Sequence, residues 1–344
     1  MSKSLRLQLH RALGLLGQRS HSTEHESSSS LPKHGDTTPI VLLGFARSGT
    51  TTFQRFLARS LHCNFAFEPI GFNHTNYPHK KFQLINNHFR NAPDLANMEA
   101  YFMDGGSLAA VHKIKTDSVR EEYEALLHDY MFWLIEHYGT NVIIKEVRLL
   151  YNLPTLVHLF EKAGLPALFV LLRSDPLNTL YTFYRLGGLI EGRDDFEHRV
   201  DEFYSYHRAI AALYTDIHFP DYCCTNKWEK LLVSVIQYQK MMEYFAKHLP
   251  HSCVLANFEK INESITSIVK RVGHSVSLPA DQLTLKSPRY TKDAYFLHTA
   301  RKNLSEEALQ VTGISLPRST KSGAPLRQRF QFSVTAIQNR LLEI

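Results

Sequence analysis

Several features that define other classes of protein are scarce in this chain of 344 residues. It has only four cysteines, and their spacing forms neither a C-x-x-C pair nor a set of metal ligands. This argues against a disulfide framework and favours reduced thiols in a cytosolic compartment. No apolar run approaches the ~20 residues that a membrane-spanning helix requires. We therefore expect a cytoplasmic protein without a transmembrane segment.

The sequence also lacks a discrete Lys/Arg block with interleaved aromatic residues, so we expect no nucleic-acid partner. The formal net charge is +6, which suits an anionic cofactor or an acidic glycan. With 44% hydrophobic and 21% charged residues, the composition is that of an ordinary globular protein with a sizeable core. One large α/β domain is expected.

The two ends of the chain differ in composition from its centre. Residues 1–38 combine a short basic amphipathic segment with a stretch rich in Ser, His and Pro, and are predicted to form an N-terminal arm and linker. No acidic residue precedes Glu24, so organelle targeting through residues 1–30 is the alternative to a cytoplasmic arm. We assign residues 39–320 to the main domain and 321–344 to a C-terminal helical extension.

The most informative stretch runs from Pro39 to Leu57 and is predicted to form a strand, a tight glycine loop and a helix. Such a loop binds anions through converging backbone N–H groups and the positive end of the helix dipole. In nucleoside-triphosphatases, a lysine follows the second glycine, whereas this chain has Thr50 there. The cation is instead Arg47, inside the loop, which favours a phosphate or sulfate ester over triphosphate hydrolysis. A purely structural turn is the alternative.

Short buried strands alternate with helices along the chain, which predicts a single α/β domain of the P-loop nucleotide-binding type. Its central parallel sheet should be flanked by helices, and ligands should bind at the carboxyl ends of the strands. After the strand at residues 40–43, we expect strands at 63–67, 142–144, 167–172 and 254–258. Helices are predicted at residues 123–138, 153–163 and 265–272 and through much of 195–249.

The segment Gly44-Phe-Ala-Arg-Ser-Gly-Thr-Thr51 resembles the 5′-phosphosulfate-binding loop of sulfotransferases that use 3′-phosphoadenosine-5′-phosphosulfate (PAPS). The resemblance implies that PAPS is the co-substrate and that no metal is required. The segment Ile143-Ile-Lys-Glu-Val-Arg148 resembles the family's segment between its two phosphate loops, which implies that Lys145 meets the transferred sulfuryl group. Arg47 and Lys145 would then stabilise the charge that develops during transfer. The cofactor-binding residues implied in the loop are Arg47, Ser48, Gly49, Thr50, Thr51 and Thr52.

A second phosphate site is predicted at Arg173-Ser-Asp-Pro176, with Thr182 further on. The family has Arg-Asp-Pro with a Ser seven residues after the Asp, and its Arg and Ser bind the 3′-phosphate of PAPS. Here Ser174 is inserted between the Arg and the Asp, and Thr182 replaces the Ser. Because of the insertion, the sequence leaves open whether the Arg173 guanidinium points at the 3′-phosphate. The same residues also predict a helix start, with Asp175 at the N-cap and Pro176 at N1.

Glu68 is the candidate general base. Cytosolic small-molecule members of the family have a histidine two residues after the lysine, where this chain has Val147. The segment Phe65-Ala-Phe-Glu-Pro69 instead resembles the Glu-Pro segment of carbohydrate sulfotransferases. Aromatic surroundings can raise the pKa of a carboxyl group towards the range of a general base. An ion pair at Glu68 is the alternative, with Glu146 and His112 as further candidates.

Three more residues have weaker signals for cofactor binding. Trp228 could stack on adenine, although a tryptophan on a helix is more often part of the core. Lys286 and Arg289 resemble a late basic loop that closes over the 3′-phosphate, and an exposed basic turn is the alternative. Apart from these three, the segment Val254-Leu-Ala-Asn-Phe-Glu259 resembles the family's Tyr-Glu-Asp-Leu strand end, with Phe258 in place of the Tyr.

Together, these patterns predict a PAPS-dependent sulfotransferase that transfers a sulfuryl group to a hydroxyl or amine. The missing histidine and the Glu-Pro segment favour a glycan or glycolipid acceptor. They also place the chain closer to the carbohydrate, Golgi-type and bacterial branches than to the phenol and steroid enzymes. A P-loop kinase of a small metabolite and a non-catalytic nucleotide-binding protein are the alternatives. The sequence leaves open whether the chain forms a homodimer.

Overall fold

A computed structural model describes most of the predicted domain. The described residues are 38–67, 131–147, 149–189, 222–273 and 289–317, together with positions 125, 128, 200, 201, 204, 207 and 208. The predicted N-terminal arm and C-terminal extension lie almost wholly outside them, so the domain bounds stay predictions. None of the helices in this part of the chain combines the length and the apolar character that crossing a membrane would require.

The described strands form one parallel sheet of five strands, in the order β2-β3-β1-β4-β5. This confirms the predicted fold class, an α/β sheet of the P-loop type. Strands β1 and β4 are almost completely buried, as expected for a sheet covered on both faces. The strands are β1 (Ile40–Gly44), β2 (Asn64–Phe67), β3 (Val142–Lys145), β4 (Leu168–Arg173) and β5 (Cys253–Asn257).

Helices follow the strands as the alternating pattern predicted. Residues 131–138 are also helical, in agreement with the helix expected at 123–138. Short 3-10 turns precede or join several helices, at Leu150–Asn152, Phe258–Lys260 and Arg289–Lys292. The helices are α1 (Thr50–Leu61), α2 (Leu153–Lys162), α3 (Pro176–Arg185), α4 (Lys227–His248), α5 (Ile261–Arg271), α6 (Ala294–Asn303) and α7 (Glu306–Thr312).

The two faces of the sheet pack against different helices, because successive strand residues point to opposite sides. On one face, Leu42 and Val170 belong to a core cluster with residues of α1 and α5. On the other face, Leu43 and Leu171 pack in a cluster with residues of α2, α3 and α4. We call these the α1 face and the α4 face. This division decides on which side each polar residue at the strand ends lies.

Candidate functional site

The loop between β1 and α1 is a tight turn with two residues in the left-handed conformation. The Ser48 amide donates a hydrogen bond to the Phe45 carbonyl (3.2 Å). Arg47 (φ 65°) and Gly49 (φ 89°) both adopt the left-handed conformation. Gly49 is the N-cap of α1 and offers no side chain to cap the first amides of the helix. The positive end of the helix is therefore available to an anion at the loop.

Both glycines of the loop are required by close contacts. A Cβ atom on Gly44 would lie 2.4 Å from Cγ2 of Thr50 and 3.2 Å from the carbonyl oxygen of Leu172. A Cβ atom on Gly49 would lie 2.5 Å from Cε2 of Phe258. The loop is thus packed tightly between β4, α1 and the end of β5, which fixes its backbone.

Ser48 supplies a polar group that has no counterpart within the described structure. Its side chain is 4% exposed, and its Oγ atom has no hydrogen-bond partner among the described residues. Leaving a buried hydroxyl without a partner costs about 1–3 kcal/mol. An anion in the loop would provide the missing acceptor. Of the neighbouring threonines, Thr50 is buried, Thr51 is half-buried and Thr52 is exposed.

Lys145, at the end of β3, brings a cation to this loop from the neighbouring strand. Its side chain is 2% exposed, and Nζ donates a hydrogen bond to Oγ1 of Thr51 (3.2 Å). The ammonium also lies 4.1 Å from the centroid of the Phe67 ring. Lys145 therefore lies on the α1 face, beside the first turn of the helix. Arg47 is an exposed residue of the loop itself.

The predicted second phosphate site has a different arrangement from the one that the resemblance implies. Arg173 follows Leu171 in the alternation of β4, so it lies on the α4 face and forms an ion pair with Glu243 of α4. Its guanidinium is thus on the face opposite Lys145. The Thr182 hydroxyl donates to the Asn178 carbonyl within α3 (2.8 Å). Both donors expected to bind a 3′-phosphate are engaged within the protein.

The start of α3 carries the predicted N-cap. The Leu177 amide donates to Oδ1 of Asp175 (2.9 Å), and Pro176 occupies the first turn. Asp175 is held in turn by the Tyr290 hydroxyl, which donates to Oδ2 (2.5 Å). Burial, together with this hydrogen bond and the Asp175 charge, raises the pKa of Tyr290 above its usual value. The tyrosine therefore stays a donor at neutral pH.

A second carboxylate, Glu259, shares this helix start and was not identified from the sequence. Its Oε1 accepts from the Asp175 amide (2.8 Å) and from Nδ2 of Asn178 (3.1 Å). Two negative side chains thus already stabilise the positive end of α3. A phosphate at the same point would be repelled, which limits how much of the predicted 3′-phosphate site this helix can provide. The Glu259 amide donates to Oδ1 of Asn257 (2.8 Å), and an Asn two residues before the Glu is the local sequence signal for such a turn.

Beneath the loop lies an aromatic cluster that sequence reasoning also missed. The Tyr238 hydroxyl of α4 is within hydrogen-bonding distance of the carbonyls of Gly44 (3.3 Å) and Val147 (3.1 Å), which links the ends of β1 and β3. Phe45 packs against Tyr238 and His207, with ring centroids at 5.3 and 5.7 Å. His207 is 2% exposed, and burial lowers its pKa to about 3. The loop therefore packs against a cluster of aromatic side chains in which His207 is uncharged at neutral pH.

The remaining candidates differ in where they lie. Trp228 is 4% exposed and packs against Tyr184 and Phe296, each with ring centroids 5.7 Å away. That position favours the core interpretation over adenine stacking. Glu146 is fully buried, directly follows β3, and donates its amide to the Leu42 carbonyl (2.9 Å). Burial, and to a smaller extent the Glu146 charge, raises the pKa of Tyr238. Residues outside the described part of the chain are Glu68, His112, Lys286 and the side chain of Arg289.

Comparisons with known proteins leave the family open. No family model matches the chain, and no curated protein matches it. A sulfotransferase from Alicyclobacillus acidocaldarius is 11% identical, with a TM-score of 0.34, over 81% of this chain and 97% of its own. The sulfotransferase domain from the curacin biosynthetic pathway is 12% identical, with a TM-score of 0.38, over 81% of this chain and 99% of its own.

A shikimate kinase from Bacteroides thetaiotaomicron is also similar, at 16% identity and a TM-score of 0.26. The matched region covers 62% of this chain and 98% of the kinase chain. At these identities and TM-scores, the likenesses do not decide between transfer of a sulfuryl group and transfer of a phosphoryl group.

Proposed function

We propose that the chain is a sulfotransferase that uses PAPS to sulfate a hydroxyl or amine of an acceptor. The observation that carries the proposal is the hydrogen bond between Lys145 and Thr51. A buried ammonium comes from a neighbouring strand to the first turn after a glycine loop that lacks its own lysine. Group transfer between oxygen atoms requires such fixed positive charge around the transferred group.

The phosphosulfate end of PAPS fits the loop. The uncapped amides at the start of α1 and the Ser48 hydroxyl offer donors to phosphate oxygens. Arg47 and Lys145 would offset the charge that builds on the transferred group and on the leaving oxygen. When bound, PAPS supplies the sulfuryl group, whose bond to the phosphate oxygen breaks as its bond to the acceptor forms.

The 3′-phosphate end fits only in part. Arg173 is paired with Glu243, and the carboxylates of Asp175 and Glu259 occupy the start of α3. For Arg173 to bind the 3′-phosphate, it has to exchange the Glu243 carboxylate for the phosphate. The ion pair is well exposed, with side-chain accessibilities of 35% and 52%. Pairs of this kind stabilise a protein by at most about 1 kcal/mol, so the exchange is energetically accessible.

For the acceptor, we keep Glu68 as the residue that takes the proton from the reacting hydroxyl or amine. In the sequence it directly follows Phe67, the last residue of β2, whose ring contacts the Lys145 ammonium. A glycan or glycolipid acceptor rests on the resemblance of residues 65–69 to carbohydrate sulfotransferases. A panel of sulfate-free glycans, glycolipids and phenols would test this choice.

A P-loop kinase is the second candidate, and one observation favours it. The two carboxylates at the start of α3 disfavour an additional phosphate there, whereas ATP has no 3′-phosphate to accommodate. Against it stands Thr50, which occupies the position of the loop lysine that contacts the triphosphate. The two candidates differ in their donor and in their need for Mg²⁺.

The test is transfer and binding with each donor in parallel. We expect PAPS and its product, 3′-phosphoadenosine-5′-phosphate, to bind without Mg²⁺, and we expect sulfate transfer to be lost in Lys145→Ala and Glu68→Gln. Lys162→Ala is the control, because Lys162 lies exposed at the end of α2. Turnover with ATP and Mg²⁺ alone would decide for the kinase. Binding without turnover, unchanged in both variants, would indicate a non-catalytic nucleotide-binding protein.

A further inference from the structure

The Lys145 ammonium lies between an aromatic ring and a hydroxyl group. The centroid of the Phe67 ring is 4.1 Å from Nζ, and Oγ1 of Thr51 is 3.2 Å from it. With Lys145 only 2% exposed, this ammonium has given up most of its hydration. Attraction between a cation and a ring face is strongest when the cation is desolvated, as it is here.

The sheet places the ring and the lysine side by side. Phe67 and Lys145 are direct partners in the parallel pairing of β2 and β3, so both side chains point to the α1 face. Gln54 of α1 fixes this register, because its Nε2 donates to the carbonyls of Ala66 (2.9 Å) and Ile143 (3.1 Å). One buried amide thus links the helix after the loop to both strands. The contact therefore follows from the backbone pairing.

We propose that Phe67 is a positioning residue for Lys145. The negative face of the Phe67 ring attracts the Lys145 ammonium and holds it at the anion loop. This inference rests on the proposed function, in which Lys145 contacts the transferred group. A long lysine side chain has several rotamers, and fixing it before the ligand binds removes that entropic cost from binding. The ring also offers an interaction that does not compete with the ligand for the N–H donors of the ammonium.

The test replaces Phe67 with phenylalanine bearing one, two or three ring fluorines. These rings keep nearly the same shape while their faces become progressively less negative. We expect the affinity for 3′-phosphoadenosine-5′-phosphate, measured by calorimetry, to fall stepwise with each fluorine. The total loss should be about tenfold for three fluorines. Phe67→Tyr, which keeps the ring, should stay within about twofold of the wild type.

Phe65 provides the matched control. It lies two residues earlier on the same strand and face, is 45% exposed, and pairs with the apolar Ile143. The same fluorinated series at position 65 should leave the affinity unchanged. Equal affinity across the series at position 67, together with weakened binding in Phe67→Leu, would overturn the proposal, because the ring would then act through its volume alone.

A second readout separates this inference from the proposed function. In the protein without nucleotide, the Cε protons of Lys145 should show an upfield ring-current shift by NMR, and Phe67→Leu should abolish it. If this shift is present but wild-type protein binds no phosphoadenosine nucleotide, the proposed function fails while the contact stands. The fluorinated series is then measured with pyrophosphate, and a flat response there would overturn the positioning role. Absence of the shift in the wild type would also overturn it.

Discussion

The ring of Phe258 lies directly against Gly49, so closely that a Cβ atom on the glycine would sit 2.5 Å from Cε2 of the ring. This contact joins the end of β5 to the N-cap of α1, across the part of the sheet where the anion site is proposed. Gly49 is also in the left-handed conformation, with φ 89°. The position therefore excludes a side chain for two separate physical reasons.

Replacing Gly49 with alanine should destabilise the protein strongly. The left-handed backbone and the contact with Phe258 together predict a loss of about 2–4 kcal/mol in the free energy of unfolding. Urea denaturation would measure it. Gly139→Ala is the matched control, because its φ is 85° and nothing lies within 4 Å of the added Cβ atom. It should lose only the backbone contribution, about 1–2 kcal/mol.

The difference between these two variants isolates the Phe258 contact. Combining Gly49→Ala with Phe258→Ala should recover part of that difference. Equal losses at positions 49 and 139 would mean that the ring moves aside easily, and the packing of the loop against β5 would then have no energetic importance.

Replacing Arg47 with glycine should change stability and binding in opposite directions. Arg47 has φ 65°, a conformation that glycine adopts without strain, so the free energy of unfolding should rise by about 1 kcal/mol. Losing the cation should weaken binding of 3′-phosphoadenosine-5′-phosphate by about tenfold or more. Denaturation and calorimetry on the same preparation would report both effects.

His62→Gly is the control for the effect of Arg47 on stability. His62 is the C-cap residue of α1 and has φ 49°, so its replacement should also stabilise the protein, but nucleotide binding should stay as in the wild type. Full affinity in Arg47→Gly would remove Arg47 from the proposed site.

Replacing Glu243 with glutamine should release Arg173 for a phosphate. The Glu243 carboxylate is paired with the Arg173 guanidinium and therefore competes with the predicted 3′-phosphate contact. We expect affinity for 3′-phosphoadenosine-5′-phosphate to rise a few-fold, roughly the value of an exposed ion pair, while affinity for 5′-AMP stays constant. Arg173→Ala should reduce the first affinity and leave the second unchanged. If both nucleotides respond alike, Arg173 does not recognise the 3′-phosphate.

At acidic pH, the buried His207 beneath the loop should lower the free energy of unfolding. Burial lowers its pKa from 6.5 to about 3, so the folded protein holds the ring neutral while the unfolded chain binds a proton. Stability is therefore complete above pH 6.5 and falls as the pH drops from 6.5 towards 3. The slope contributed by this group is up to about 1.4 kcal/mol per pH unit.

Urea denaturation between pH 7 and pH 4.5 would measure this slope, which should be reduced in His207→Phe. His158→Phe is the control, because His158 is exposed on α2 and its replacement should leave the slope unchanged. An equal slope in wild type and His207→Phe would show that the acid sensitivity arises elsewhere.

The sequence predicted best what depends on local patterns. The alternation of buried strands and helices predicted the parallel sheet, and the glycine spacing around Arg47 predicted the loop. The fold then brings Lys145 to Thr51, as expected of a residue at the end of a neighbouring strand. These features could be predicted because hydrophobic periodicity and glycine positions act over a few residues.

Side-chain partners distant in sequence could not be predicted in this way. Asp175 contacts Glu259 and Tyr290, which are 84 and 115 positions further along the chain. Arg173 likewise faces Glu243 on α4, because it follows Leu171 in the alternation of β4. Which charged groups meet at strand ends depends on register and helix rotation, and neither is encoded in a local hydrophobic pattern.

Calorimetry can measure nucleotide binding at the proposed site without knowledge of the acceptor. We predict that wild-type protein binds 3′-phosphoadenosine-5′-phosphate without Mg²⁺, that Lys145→Ala weakens this binding at least tenfold, and that Lys162→Ala leaves it unchanged. Binding of ATP only in the presence of Mg²⁺, with no binding of the phosphoadenosine nucleotides, would rule out a PAPS-dependent sulfotransferase.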